Sequence, residues 1–128
     1  MPKTTTADQP PEPQRATPDP DARNEVSLCG RVSILPEERD LPSGVTIVTG
    51  RIVVERDQAA RKRSSQRVDT FDLVAWTTRP QRAMRSWQPG DVVAVDGAVR
   101  RRFFKGASGS VSRVEVEVRS ARKVRSGP

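Results

Sequence analysis

Five β-rich segments with a single short helix between the third and the fourth predict an all-β fold, a five-stranded Greek-key barrel of the OB type. Three observations carry that expectation. Hydrophobic residues recur at a period of two through most of the chain from Asn24, turn signals at Pro42-Ser43-Gly44 and between Lys105 and Ser110 separate the runs, and only the stretch after Trp76 has helix start and stop signals. A β-sandwich would need more strands, and a doubly wound sheet would need a helix after nearly every strand.

Residues 1–23 hold six of the eleven prolines and no large hydrophobic residue after Met1, so this segment is expected to be a disordered tail ahead of a domain spanning residues 24–124, with 125–128 a short second tail. In the first strand Val26, Leu28, Gly30 and Val32 share a face, and Pro36 with the charged turn Glu37–Asp40 ends it. The second runs from Val45 to Asp57. Val48, Gly50, Ile52 and Val54 face one way and Thr49, Arg51, Val53 and Glu55 the other, with a bulge or bend expected at Gly50. Gln58–Arg67 has no apolar residue larger than alanine and reads as an exposed hairpin tip. The return strand, Val68–Trp76, sets Phe71, Leu73 and Ala75 against Thr70, Asp72, Val74 and Trp76. A helix capped by Thr78 and ended by Pro89-Gly90 follows, with Ala83 and Trp87 on its buried side. Asp91–Phe104 is the fourth strand and Val111–Val124 the fifth, where Val114, Val116 and Val118 alternate with Arg113, Glu115 and Glu117.

The chain has 23 basic and 16 acidic residues, net +7; 20 of the basic and 12 of the acidic residues lie from Asn24 onward. Such a field favours a polyanion or an anionic membrane surface as partner. No apolar run approaches a membrane span and the N-terminus lacks a signal-peptide stretch, so a cytoplasmic protein without membrane contact is expected. There is no histidine and one cysteine, Cys29, which removes most metal sites, Cys–His and Ser–His nucleophilic pairs and any intrachain disulfide. Neither enzyme chemistry nor a cofactor or metal is expected, and Cys29 reads as a packed or half-exposed thiol.

The candidate functional stretch is Val93–Phe104. Val93, Val95 and Val99 point to one face while Arg100, Arg102 and Phe104 point to the other. Guanidinium groups suit phosphate oxygens and the ring offers a base a stacking partner. Arg51 and Arg56 in the second strand, Arg61, Lys62 and Arg63 at its tip, and Lys105 beyond Phe104 extend the candidate set.

Asn24-Glu25-Val26-Ser27-Leu28-Cys29-Gly30-Arg31, Pro42-Ser43-Gly44, Val74-Ala75-Trp76 and Gly90-Asp91-Val92-Val93-Ala94-Val95-Asp96-Gly97 leading into Val99-Arg100 together resemble the bacterial single-stranded DNA-binding proteins, over roughly Asn24 to Val124. The resemblance implies sequence-independent binding of single-stranded DNA in replication, repair or recombination, and a homotetramer. It implies stacking roles for Trp76 and Phe104 and phosphate contacts for Arg100 and Arg102. Two further aromatic positions of many members fall on Gln58 and Thr70, so the stacking platform is depleted. The chain ends Arg122-Lys123-Val124-Arg125-Ser126-Gly127-Pro128 rather than in the family's acidic tip, so recruitment of enzymes through such a tip is not expected. Two alternatives share the same residues: an RNA-binding OB module, since stacking and phosphate contacts do not read the 2′-hydroxyl, and a protein-interaction or structural subunit whose basic face meets an acidic partner.

Overall fold

The computed structural model describes residues 17–128; most of the expected disordered tail, residues 1–16, lies outside the described residues. The order of elements is β1 (Val26–Val32), β2 (Glu37–Asp40), β3 (Thr46–Glu55), α1 (Gln58–Arg63), β4 (Val68–Ala75), α2 (Thr78–Arg85), β5 (Val92–Gly106) and β6 (Gly109–Arg125). Strands pair in the order β1-β5-β6-β4-β3-β2, and a further β1–β3 pairing closes five of them into a ring. All pairs are antiparallel except β4–β6, where Leu73 and Val74 lie beside Val116 and Glu117. The period-two reading therefore agrees with the observed five-stranded barrel, with α2 as the helix between the third and fourth ring strands.

The inside is filled by the faces that alternation assigns to it, except that Val99 and Val114, expected beside Val95 and Val116 on the apolar face, are exposed. Val32, Val48, Ile52, Leu73, Ala75, Val93, Val95, Val116 and Val118 form the core, with Val26, Leu28, Val54 and Phe71 packed against it. Met84 and Trp87 plug one end. Gly50 marks no break in the β3–β4 register; a Cβ there would lie 3.0 Å from Met84 Cε, so the glycine makes room for the plug instead of bending the strand.

Several expectations are corrected. Glu37–Asp40 is a strand, not a turn, pairing with Thr46–Thr49. The tip at Gln58–Arg67 holds a second helix, α1, whose N-cap Asp57 accepts a hydrogen bond from Ala60 N–H at 2.8 Å. α2 is capped by Thr77 rather than Thr78, without a side-chain hydrogen bond, and it buries Pro80, Gln81 and Met84 rather than Ala83. Trp87 lies beyond the helix, its N–H donating to Met84 O. Gln81 is buried because its amide donates to Thr46 O at 2.9 Å and Ala75 O at 3.1 Å, tying α2 to β3 and β4. The turn between β5 and β6 is only Ala107-Ser108, with Gly106 opposite Gly109. Cys29 is exposed, on the outward side of β1.

The C-terminal residues are not a free tail. β6 continues to Arg125, and Gly127 N–H donates to Asp91 Oδ1 at 3.0 Å. Asp91 is buried and also receives Gln88 N–H at 2.9 Å and Lys123 Nζ at 3.2 Å. These partners, the Gln88 amide foremost, hold its carboxyl below the usual carboxylate range. A depressed folded-state pKa gives stability that is fully present above the unfolded value of about 3.9 and lost as pH falls through the folded one. Urea midpoints should accordingly drop on acidification below pH ~4, with a shallower drop in Asp91→Asn. Equal acid slopes in the two proteins would remove Asp91 from this role.

Candidate nucleic-acid interface

Side chains that do not enter the core emerge on the outer surface of the ring. On β3 and β4 these are Arg51 and Asp72, paired across the strands; on β5 they are Arg100, Arg102 and Phe104; on β6 they are Arg113, Glu115 and Glu117. Residues opposite one another in an antiparallel pair share a face, so Arg102 lies beside Arg113 and Phe104 beside Val111. A shallow cleft of about 150 Å³ draws Arg39 of β2, Arg51, Asp72, Arg102, Arg113 and Glu115 together. A second depression joins Arg39, Arg102, Phe104 and Arg113.

The expected residues divide by what they touch. Arg51 Nε donates to Asp72 Oδ1 at 2.9 Å, Arg100 Nε to Glu117 Oε1 at 2.9 Å, and Arg102 Nη1 lies 3.6 Å from Glu115 Oε1. All three arginines remain exposed. Phe104 is 42% exposed and carries the Arg113 guanidinium 5.6 Å above its ring. Trp76, one residue past β4 and on the Asp72–Val74 side by alternation, is 41% exposed. Continuing the β4–β6 register, Trp76 and Phe104 stand eight residues apart along the sheet, roughly 26 Å at the ordinary rise per residue.

Two further members of the set are paired at the far end of the β3–β4 hairpin. Arg56 grips Asp69 with Nε at 3.1 Å and Nη2 at 2.8 Å, a two-pronged pair that braces the end of the β3–β4 hairpin and keeps its guanidinium firmly protonated. Arg61 reaches Glu55 at 3.2 Å. Lys62 and Arg63 on the same helix are exposed without a carboxylate within 4 Å among the described residues. Lys105 shares the reverse face of the β5–β6 hairpin with Arg101 and Phe103, away from Phe104. Because β4 and β6 run parallel, the start of β4 at Val68 is level with Val111, so α1 and the β5–β6 turn emerge at the same end of the barrel.

Arg39 and Arg113 were not singled out in the sequence. Neither has a carboxylate partner within 4 Å among the described residues. Arg113 was within reach of a register argument: a turn centred between Ala107 and Ser108 sets Arg102 opposite Arg113. Arg39 was not, because its strand carries no hydrophobic alternation.

Comparison with known proteins matches residues 23–124 to the single-strand binding protein family. The chain belongs to that family. Similar family members include a single-stranded DNA-binding protein of Oceanobacillus iheyensis, 29% identical over 86 residues, and single-stranded DNA-binding protein 3 of Listeria innocua, 30% identical over 86 residues. Each alignment covers 67% of this chain and 53% of the relative, so the chain spans about half the length of the curated relatives it matches. The barrel is also similar to a solved structure described as a Plasmodium falciparum SSB complex with ssDNA. The TM-score is 0.64 at 18% identity, covering 84% of this chain and 97% of the other, which supports the fold. Among the described residues no helix is long and apolar enough to cross a membrane.

Proposed function

We propose that this protein binds single-stranded DNA without regard to sequence, the strand running over the outer face of β3, β4, β6 and β5. The observation that carries the reading is the convergence on one surface of Arg39, Arg51, Arg102 and Arg113 with the exposed ring of Phe104. Arginine offers planar donors to phosphate, and exposed aromatic rings stack any base. The names of the family relatives, and the single strand bound by the structurally similar protein, support the same reading. Trp76 serves as the second stacking ring and Lys62 and Arg63 as outlying phosphate contacts. The role falls within replication, repair or recombination in a bacterial cytoplasm, with the chain acting as a homotetramer to present a longer path.

The test is a titration with homopolymeric strands of graded length at several salt concentrations. Each neutralised phosphate contributes a slope near −0.7 on single strands, so about five contacts cost about a hundredfold between 50 and 200 mM salt. An affinity flat across that range would remove the phosphate contacts, and equal competition by matched RNA would turn the reading toward RNA. Replacing Lys62 and Arg63 by alanine should weaken all sequences alike and flatten the slope, whereas Arg56→Ala should lower thermal stability with a smaller effect on the slope.

A further inference from the structure

The outer face carries an acidic stripe along its middle. Asp72 on β4 and Glu115 and Glu117 on β6 stand between Arg51 on one side and Arg100 and Arg102 on the other, one carboxylate for each arginine. Glu115 is 8% exposed, a carboxylate kept at the centre of a surface that receives a polyanion. We propose that Asp72, Glu115 and Glu117 set selectivity for single strands over duplex: they cancel three arginines, so that charge alone does not hold a nucleic acid and bases must also stack. The inference rests on the DNA-binding reading above.

The alternative is that the carboxylates merely position the arginines. Asp72 and Glu117 do hold Arg51 and Arg100 through Nε, which leaves the terminal nitrogens turned to other partners. Ordering by an exposed ion pair changes an equilibrium by at most about fivefold. A carboxylate left facing a bound strand acts on every nearby phosphate and cancels about one contact. Restoring that contact steepens the salt dependence by about 0.7 for a single strand and about 0.9 for a duplex. From 1 M down to 50 mM salt such a slope is worth about eightfold per contact on a single strand and about fifteenfold on a duplex, so repulsion outweighs positioning. It also weighs more on duplex, whose phosphates are denser and whose paired bases cannot stack on Trp76 or Phe104.

The experiment compares the wild-type chain with Glu115→Gln/Glu117→Gln and with the triple variant that adds Asp72→Asn. Asparagine at 72 and glutamine at 117 keep an oxygen for the Nε of Arg51 and Arg100, glutamine at 115 keeps one facing Arg102 Nη1, and all three remove the negative charge at nearly constant shape. Affinities are measured for a single-stranded thymidine oligomer and for a duplex of equal length, at 50 and 200 mM salt, with circular dichroism as the check on folding. Glu117→Gln alone, at the more exposed carboxylate, serves where the multiple variants fail to fold. The triple variant should bind duplex at least tenfold more tightly at 50 mM salt and gain less on the single strand. Its loss between 50 and 200 mM should grow by up to about fortyfold on duplex and about twentyfold on single strand. Equal or weaker binding to both nucleic acids by folded variants overturns the proposal while leaving the DNA-binding reading in place. A wild-type chain that binds no single strand overturns that reading and the proposal with it.

Discussion

Trp87→Ala is expected to destabilise the barrel by about 3 to 5 kcal/mol, because it empties the volume of a large ring at the plugged end of the core. Trp87 is 1% exposed and belongs with Met84 to the core, both of them set against Gly50 of β3. Urea unfolding of the wild type and variant reads the loss directly; a change under 1 kcal/mol would mean that the end of the barrel collapses freely onto the gap. Trp76→Ala should behave in the opposite way, leaving stability nearly unchanged and costing roughly 1 to 3 kcal/mol in binding of single strands. With both indoles in one small domain, fluorescence separates them: a strand stacking on Trp76 should quench its emission, and Trp76→Phe should abolish the quench while retaining most affinity. A quench that persists in Trp76→Phe and disappears in Trp87→Phe would place the strand on another face.

Gly97→Ala is expected to cost about 3 kcal/mol or more, at the upper end of what an added methyl group does in a packed site. The new Cβ would run into the Glu117 carbonyl oxygen and lie 3.3 Å from Val118 Cα. Both obstacles are backbone, so neither can swing aside. Gly97 sits at the register shift between Asp96 and Gly97, where β6 carries one residue more than β5. Beyond it the hairpin holds Arg100, Arg102, Phe104 and Arg113, so a strand displaced at Gly97 should lose DNA affinity together with stability. A variant with wild-type melting and binding would show that β5 and β6 can separate there at little cost.

The strand faces were legible because alternation at a period of two survives wherever one side is buried, and it assigned Leu73, Val93, Val95 and Val116 to the core and Arg51, Arg100, Arg102 and Phe104 to the outside. The elements that escaped notice have no such signal. β2 is Glu37-Glu38-Arg39-Asp40, exposed throughout and held by main-chain pairing with β3, and α1 buries no residue and owes its start to the Asp57 cap. At the site, residue type identified the cations but not their partners. Nothing in the order of residues distinguishes Arg56, locked onto Asp69, from Lys62, which has no such partner, because ion pairs such as Arg100–Glu117 join residues far apart in the chain.

β6 lies between β5 and β4, with α2 also packed against it. A chain emerging from synthesis as far as Gly106 therefore has β4 and β5 complete but each with an open edge, and no ring. Closure waits for Gly109–Arg125, which must pair with β4 far back in the chain, Val116 beside Leu73. Pairing across such sequence separations is slow, and open edges in the interval are templates for strands of other chains. The exposed cations Arg100, Arg101 and Arg102 stand on β5 at that stage, where like charge on a neighbouring chain discourages edge-to-edge association until the last strand arrives.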